Sequence, residues 1–208
     1  MSDRKRHLIV GGVAGGASVA ARLRRLDEAA EVIMCERGPY VSFSNCALPW
    51  HLSGDIPHAD DLVLMTPEEF WNQYRIQART GHEVTAINRD DKTITVRKVD
   101  TGKEVTEHYD TLTLAPGAAP IKPPIPGIDA PHVFHVRNVP DIDSIQRYLT
   151  EHDVNDVVVV GGGFIGLEVA ENLVKAGRSV SLAEALPQVL SPVDPELAAV
   201  LHKELLDQ

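Results

Sequence analysis

The sequence is poor in cysteine and has neither a long apolar run nor an excess of basic residues. It contains 2 cysteines, Cys35 and Cys46, too few for the disulfide framework of a small secreted protein. No apolar run approaches the ~20 residues of a transmembrane helix. The first residues show no apolar segment with a cleavage site, so we expect no signal peptide. The net charge of -10 argues against a general binder of nucleic acids or anionic membranes. These features favour a cytoplasmic protein without nucleic-acid or membrane partners.

Histidines do not form the pattern that a metal site requires. The 9 histidines are scattered, and His132 and His135 are a close pair without further ligands nearby. Protein zinc sites use three or four ligands, so this pair does not predict one. We therefore expect no bound metal.

The main positive feature is a partial internal repeat. Residues 7–36 and residues 157–184 each read as a strand, a glycine-rich turn, a helix and a second strand that ends on a glutamate. Each first strand is a short apolar run, as expected for a buried parallel strand. This order predicts an α/β fold with two Rossmann-like dinucleotide-binding units, the second of them truncated.

A different pattern separates the two repeats. Residues 83–87 and 93–99 are predicted strands because apolar and polar side chains alternate, and residues 89–91 form the turn between them. Another apolar strand is predicted at residues 111–114. These segments do not continue the strand–turn–helix order.

The first glycine-rich turn, residues 11–16 (GGVAGG), follows a strand and opens a helix. Its glycines permit a tight turn and bring the helix N-terminus close to a pyrophosphate. Glu36 ends the next strand, where a carboxylate can accept hydrogen bonds from a ribose. Val13 takes the place of the middle glycine in G-x-G-x-x-G, so a turn without a ligand remains an alternative.

The second glycine-rich turn, residues 161–166 (GGGFIG), fits G-x-G-x-x-G fully and follows a four-valine strand. Glu184 ends the next strand about 20 residues further on, as in dinucleotide-binding proteins. A carboxylate there favours the free 2′-hydroxyl of NADH over the 2′-phosphate of NADPH, whereas Arg178, before that strand, weakens the argument. Two such turns in one chain suggest hydride transfer from a nicotinamide to a flavin.

The candidate reactive residue is Cys46. Pro49 is tolerated only in a first helical turn, so any helix here begins close to Cys46. A helix N-terminus favours the thiolate, which is the reactive form. No cysteine lies five residues away, so a C-x4-C dithiol pair is absent. Cys35 lies inside a strand and is predicted to be buried, and an ordinary buried thiol remains an alternative for Cys46.

Proline and the end of the sequence suggest the domain boundaries. Residues 116–131 hold six prolines and are interpreted as an ordered linker, followed by a predicted helix over residues 140–151 with Asp141 near its start. A last helix is predicted over residues 194–206, and without further strands we expect a fragment or truncated product. The predicted segments are the first part of an FAD-binding domain (1–118), a linker with a connecting helix (119–151) and an incomplete NAD-binding domain (152–208).

The segment SFSNCALPW after a GGVAGG turn resembles the N-terminal part of coenzyme A-disulfide reductases, which are single-cysteine pyridine nucleotide-disulfide oxidoreductases. Their relatives fused to a rhodanese domain, which reduce CoA persulfides or polysulfides, share it. The segments YDTLTLAPGA, PPIPGI, HVRNVPDID and SPVDPELA are similar as well, so the resemblance covers essentially the whole chain. It implies that NADH reduces FAD, and that FAD reduces a mixed disulfide of Cys46 with CoA, or a sulfane sulfur bound there.

The resemblance also implies binding residues. For FAD they are Gly11, Gly12, Val13, Ala14, Gly15, Gly16, Glu36, Arg37, Ser42, Asn45, Val84, Ala115, Pro116 and Gly117. For NADH they are Gly161, Gly163, Phe164, Ile165, Gly166, Glu168 and Glu184, with Phe164 as an aromatic gate between nicotinamide and flavin. For CoA they are Ser18, Arg22, Arg25, Ser42, Asn45 and Tyr74. Arginines three residues apart suit phosphates, although Arg22 and Arg25 also fit a solvated helix face.

Three departures from the family pattern bear on function. Tyr74, followed by Arg75, replaces a lysine that the CoA-reducing relatives use for CoA. Ala14 replaces the histidine of related NADH peroxidases and oxidases, which disfavours a sulfenic-acid cycle. The later FAD segment, the dimer-forming domain of the homodimeric relatives and its tyrosines have no match here. The alternatives are a nucleotide-binding fragment without turnover, a fragment with only a structural role, and an NADH oxidase or peroxidase.

Overall fold

The computed structural model describes residues 4–207. In chain order its helices and strands are β1 (Arg6–Val10), α1 (Ala14–Leu26), β2 (Glu31–Cys35), α2 (Leu48–Ser53), α3 (Pro67–Tyr74), β3 (Ile76–Arg79), β4 (His82–Asn88), β5 (Thr93–Lys98), β6 (Glu104–His108), β7 (Thr111–Leu114), α4 (Val139–Glu151), β8 (Asp156–Val160), α5 (Phe164–Lys175), β9 (Ser179–Ala183) and α6 (Pro195–Asp207). Short 3-10 turns cover Asn45–Ala47 and Ala59–Leu62.

The chain divides into two compact units. The first unit comprises residues up to Ser44 together with Val63–Ala119, and the second comprises Asn45–Leu62 together with residues from Pro120 onward. The segment that carries Cys46 therefore packs with the second unit, although it follows the first glycine-rich turn in the sequence. Which ligand each unit binds stays a prediction.

The first unit contains a parallel sheet in the order β3-β2-β1-β7. Its central strands are buried on both faces, since helix α1 covers one face and the antiparallel sheet β4-β5-β6 covers the other. On the helix side, Ile9 and Met34 pack with Phe70 of α3. On the other side, Ile33 packs with Ile94 of β5. The predicted α/β fold is thus present, and the strands predicted at 83–87, 93–99 and 111–114 correspond to β4, β5 and β7.

The second unit contains the parallel pair β8-β9 and the helix α5 between them. Helix α2 packs against α4 and α5. The predicted helix over residues 140–151 is present as α4 and begins at Val139, because Asn138 and Asp141 form a capping box at its start. Helix α6 matches the prediction over residues 194–206, and within the described part of the chain residues 116–131 form neither helix nor strand.

Candidate functional site

The first glycine-rich turn is closed by backbone contacts that exclude larger residues. A Cβ at Gly11, whose φ is +92°, would lie 2.0 Å from the carbonyl oxygen of Ala115. A Cβ at Gly16 would lie 1.8 Å from the carbonyl oxygen of Gly11. The turn between β1 and α1 is therefore as tight as the sequence predicts. Ala115, the residue directly after β7, contacts this turn.

The helices that follow the two glycine-rich turns have open N-termini. In the described structure, neither α1 nor α5 has a side-chain cap or an acidic residue in its first turn. By contrast, α3 and α4 each begin with a complete capping box. The free N–H groups and the positive end of the helix dipole at α1 and α5 suit a phosphate anion.

Glu36 lies directly after β2 and is bound to the first turn. Its Oε2 accepts a hydrogen bond from the Gly12 amide at 2.8 Å, and its Oε1 accepts one from the Gly38 amide at 2.8 Å. A Cβ at Gly12 would lie 3.0 Å from the Cβ of Glu36 and 2.7 Å from Cγ1 of Val41. The carboxylate is therefore fixed beside the turn, and each oxygen keeps a lone pair for a ribose hydroxyl.

The second turn repeats this geometry. A Cβ at Gly166 would lie 1.9 Å from the carbonyl oxygen of Gly161, whose φ is +104°. Glu184 accepts hydrogen bonds from the amides of Leu186 at 2.8 Å and Gly162 at 2.6 Å. These amide hydrogen bonds lower the pKa of the Glu184 carboxyl below its usual value, so the group is ionised at neutral pH.

The equivalence of the two turns extends to residues outside the glycine motifs. The Ser42 amide donates to the Gly12 carbonyl at 2.8 Å, and the Leu190 amide donates to the Gly162 carbonyl at 2.8 Å. Both residues adopt a left-handed backbone, with φ of 48° at Ser42 and 47° at Leu190. The Val41 side chain lies next to Gly12 in the first turn, and the Val189 side chain lies next to Gly162 in the second turn in the same way. Sequence analysis missed Val41, Val189 and Leu190, because their role is visible only in tertiary contacts.

Other predicted FAD residues lie around the first turn or on the neighbouring strands. The Cβ of Ala115 lies 3.4 Å from the Cβ position at Gly15. Gly117 has a φ of 69°, in the left-handed region. The exposed Arg37 forms an ion pair with Glu83 at 3.7 Å, and Val84 packs against the core of the first unit. Val13, Ala14 and Pro116 complete this set at the turn and after β7.

The predicted NADH residues gather at the start of α5. Phe164 and Ile165 are 65% and 60% exposed, so their apolar surface is open to a ligand. Gly163 has open space above it, since no atom of the described residues lies within 4 Å of an added Cβ. Glu168 is exposed one turn further along the helix. Arg178, which weakened the NADH argument, donates a hydrogen bond to the carbonyl of Val154.

The two cysteines lie in opposite environments. Cys35 is buried, and burial raises the pKa of its thiol to about 11 although Arg79 opposes the shift. Cys46 is exposed, in the 3-10 turn Asn45–Ala47 directly before α2. The predicted helix start near Cys46 and the buried position of Cys35 are both confirmed, and the alternative of a buried Cys46 is wrong.

Asn45, next to Cys46, is held by a residue from far along the chain. Nη1 of Arg137 donates a hydrogen bond to Oδ1 of Asn45 at 3.2 Å. Sequence analysis did not single out Arg137. The contact spans 92 positions, and no local pattern predicts such a pairing.

The predicted CoA residues of helix α1 share one exposed face. Ser18, Arg22 and Arg25 are all exposed, and their spacing places them on one side of the helix. Within residues 4–207, neither Arg22 nor Arg25 has a recorded ion pair. Tyr74 is half-buried against the same core as α1, so its side chain has a structural contact in addition to its predicted role.

Arg24, on the same helix, has a different role from its arginine neighbours. Its Nε donates to the carbonyl of Tyr74 at 2.7 Å, and Nη2 donates to the carbonyl of Arg75 at 3.0 Å. Its Nη1 donates to the carbonyls of Asp27 at 3.2 Å and Glu28 at 2.7 Å. Arg24 thus joins the C-termini of α1 and α3 and fixes the backbone of Tyr74.

Among residues 4–207, no group of three or more His, Cys, Asp or Glu side chains is arranged to hold a metal ion. No described helix combines the length and apolar character needed to cross a bilayer.

Together, the fold and the site define an α/β protein with two glycine-rich turns of the dinucleotide-binding type and one exposed cysteine. The family model for pyridine nucleotide-disulphide oxidoreductases matches residues 5–208, and the chain belongs to this family. The coenzyme A disulfide reductase of Staphylococcus haemolyticus (strain JCSC1435) is 36% identical over 198 residues, which are 95% of this chain and 44% of that protein. The chain thus spans less than half the length of the curated relatives it matches.

Solved structures give the same result. The reduced CoADR-RHD of Bacillus anthracis has a TM-score of 0.95 and 47% identity, covering 98% of this chain and 37% of that one. The NAD-dependent persulfide reductase from A. fulgidus has a TM-score of 0.92 and 32% identity, covering 97% of this chain and 38% of that one. Ligand contacts of the predicted site residues stay predictions.

Proposed function

We propose that this chain is part of a flavoprotein that reduces a CoA disulfide, a CoA persulfide or a polysulfide through Cys46, with NADH as the electron donor. The observation that carries the proposal is the exposure of Cys46, in contrast to the buried Cys35. A thiol that attacks a disulfide must be accessible, and Cys46 alone of the two meets that requirement. The similarity to a coenzyme A disulfide reductase and to a persulfide reductase supports the same chemistry.

The two open helix N-termini support two nucleotide ligands. We assign FAD to the first turn, where Glu36 is fixed to Gly12, and NADH to the second, where Glu184 is fixed to Gly162. When bound, FAD supplies a two-electron carrier between NADH and sulfur. The amides at the start of α1 and α5 would orient the pyrophosphates, and the two glutamates would orient the riboses.

In the sulfur steps, the Cys46 thiolate attacks one sulfur of a disulfide R–S–S–R. A mixed disulfide of Cys46 with RS forms, and the other half leaves as the thiolate RS⁻. Two electrons that originate from NADH then break the mixed disulfide, which regenerates the Cys46 thiolate and releases a second RS⁻. The net reaction consumes one NADH and one proton and yields two thiols and NAD⁺.

The charge pattern supports a CoA-linked substrate and NADH. Arg22 and Arg25 form an exposed cationic face on α1, and guanidinium groups suit the phosphates of CoA. The ionised carboxylate of Glu184 would repel a 2′-phosphate and so favour NADH. We further propose a cytoplasmic location, where two unpaired thiols remain reduced, and a homodimer in the longer relatives.

Cysteine replacement tests the proposal. The Cys46→Ser variant is expected to lose NADH-dependent reduction of CoA disulfide while keeping flavin absorbance near 450 nm at wild-type stoichiometry. The matched control is Cys35→Ser, which removes the buried thiol and should retain turnover. Wild-type turnover by Cys46→Ser, or loss of flavin from Cys46→Ser alone, would contradict the assignment of Cys46.

A second candidate is nucleotide binding without turnover, which the two open helix N-termini after the glycine-rich turns support by themselves. It predicts that the purified chain is colourless, or binds NADH without oxidising it. Absorbance spectra of the purified chain and stopped-flow NADH oxidation distinguish the two candidates directly.

A further inference from the structure

The turn Asn45–Ala47, which carries Cys46, is contacted by a side chain from a distant part of the sequence. Helix α2, which follows it, has only 6 residues, and within the described structure its N-terminus has no side-chain cap. So short a helix contributes little dipole, and little local structure fixes the preceding residues. The side-chain contact recorded for Asn45 comes from Arg137, whose Nη1 donates to Oδ1 of Asn45 at 3.2 Å.

Arg137 is itself firmly placed. Its backbone amide donates to Oδ2 of Asp141 at 3.1 Å, and the Asn138 amide donates to the same oxygen at 3.2 Å. Oδ1 of Asn138 accepts from the Asp141 amide at 2.9 Å, which completes the capping box of α4. Because α4 also packs against α2, the guanidinium reaches Asn45 from a rigid helix start rather than from a flexible loop.

The other basic side chains of the packed helices α2, α4 and α5 have partners elsewhere. Lys175 of α5 is paired with Asp55, and Nδ1 of the buried His51 of α2 is 2.7 Å from the carbonyl oxygen of Ile56. Asp141 lies 3.4 Å from His135. Arg137 is therefore the cationic side chain that contacts the residue next to the exposed thiol.

We propose that Arg137 is a positioning residue for the sulfur chemistry: it fixes the Asn45–Cys46 turn and places a positive charge beside the thiol, where it attracts anionic thiol compounds. This inference rests on the proposed function of Cys46. A substrate such as a CoA disulfide carries phosphates, so a positive charge at this turn would raise its local concentration. The guanidinium is hydrogen-bonded to the side chain of the residue next to Cys46, and charges act over a screening length of about 8 Å at physiological salt.

The test compares a charged with a neutral alkylating reagent. Second-order rate constants for the reaction of Cys46 with iodoacetate and with iodoacetamide are measured across pH 6–9 on the intact protein. In Arg137→Gln, the iodoacetate-to-iodoacetamide ratio is expected to fall roughly fivefold, which corresponds to about 1 kcal/mol for one unit charge near the surface. Arg137→Lys, which keeps the charge, should keep most of the ratio. A purely structural role would move both rates together.

The matched control is Arg147→Gln, which removes the same charge from helix α4, where Arg147 forms an exposed pair with Asp143. Its ratio should equal that of the wild type. In a double-mutant cycle, the effects of Arg137→Gln and Asn45→Ala on the alkylation rates should be non-additive, because both variants remove the same hydrogen bond. An unchanged ratio in Arg137→Gln, or equal changes in both arginine variants, would overturn the proposal.

Two further outcomes are also decisive. Should Arg137→Gln fail to fold, Arg137→Met, which keeps a long side chain without the charge, carries the test, and an unchanged ratio there overturns the proposal. Alkylation does not require turnover. A result in which Arg137→Gln lowers the ratio but Cys46→Ser keeps full turnover would therefore refute the proposed function and leave the placement of Arg137 intact.

Discussion

Nη1 of Arg79, at the end of β3, donates a hydrogen bond to Oε1 of Glu107 on β6 at 2.8 Å. The same carboxylate pairs with Arg6 of β1. One side chain of the antiparallel sheet thus neutralises two arginines of the parallel sheet. Burial opposes ionisation of Glu107, but hydrogen bonds and charges from Arg79 and Arg6 outweigh it and lower the pKa of the carboxyl.

Replacement of Glu107 by Gln should lower the free energy of unfolding by about 2 kcal/mol at pH 7, because the partly buried Arg79 loses its counter-charge and Arg6 keeps only its ion pair with Glu31. The folded-state pKa of Glu107 is lowered, so its stabilisation is present above the unfolded value of about 4.3 and is lost as pH falls through the folded value. Calorimetry at pH 7 and pH 4 should therefore show a smaller acid destabilisation in Glu107→Gln. The exposed Glu104→Gln on the same strand is the control, expected to lie within about 0.5 kcal/mol of the wild type.

Arg24→Ala should destabilise the first unit by about 2–3 kcal/mol, since the guanidinium donates to four carbonyls at the ends of α1 and α3. Arg25→Ala, the next residue, is exposed and should cost no more than about 0.5 kcal/mol. Urea titrations of both variants measure the difference. Similar midpoints for the two variants would show that the contacts of Arg24 contribute nothing to stability.

Two glycines of the second turn should respond differently to Ala. A Cβ at Gly166 would lie 1.9 Å from a carbonyl oxygen, whereas a Cβ at Gly163 meets no described atom within 4 Å. Gly166→Ala should therefore unfold or distort the turn and lower the melting temperature. Gly163→Ala should melt like the wild type and yet bind NADH at least about tenfold more weakly, because the methyl group would occupy the ligand space. Thermal melts and fluorescence titration with NADH decide this, and wild-type NADH affinity in Gly163→Ala would remove the second turn from the binding site.

Glu184→Gln should shift nucleotide preference towards NADPH. The amide side chain keeps an acceptor for Gly162 but loses the negative charge, so NADPH affinity should rise relative to NADH by roughly tenfold, or about 1.4 kcal/mol. Dissociation constants for both nucleotides measure the ratio. Glu36→Gln in the first turn is the matched control and should leave this ratio unchanged. A shift of equal size in both variants would contradict the assignment of Glu184.

Cys46 should be the thiol that reacts in the native protein. Because the pKa of Cys35 is raised to about 11 by burial, one equivalent of iodoacetamide should be incorporated at pH 8, at Cys46. A second equivalent should appear only after unfolding. Peptide mapping by mass spectrometry gives the site, and native labelling of Cys35 would contradict its burial.

The sequence predicted the parts of this structure that local chemistry determines. The glycines at 11, 16, 161 and 166 require tight turns, so the strand–turn–helix order of both repeats was predictable. The apolar run of β1 is buried as expected, but the same expectation is wrong for most of β8, where Val158 and Val160 are exposed and only Val159 is buried. Helix α3 was missed although Thr66, Pro67 and Glu69 form an N-terminal signature. Strand β6 (EVTEH) was missed because polar side chains obscure its alternation. The contact of Arg137 with Asn45 could not be predicted, since the two residues meet only through the packing of α2 and α4.

Glu36 and Glu184 each accept a hydrogen bond from a backbone amide of their glycine-rich turn, and this has a consequence for engineering. Each glutamate stabilises the backbone of its own turn by this hydrogen bond and is also a candidate contact for a ribose. A redesign that removes Glu184 to change coenzyme preference would leave the Gly162 amide without its acceptor. Replacements of Glu184 that lack a side-chain oxygen, unlike Gln, should therefore need a second substitution that introduces an acceptor near Leu186 or Val189.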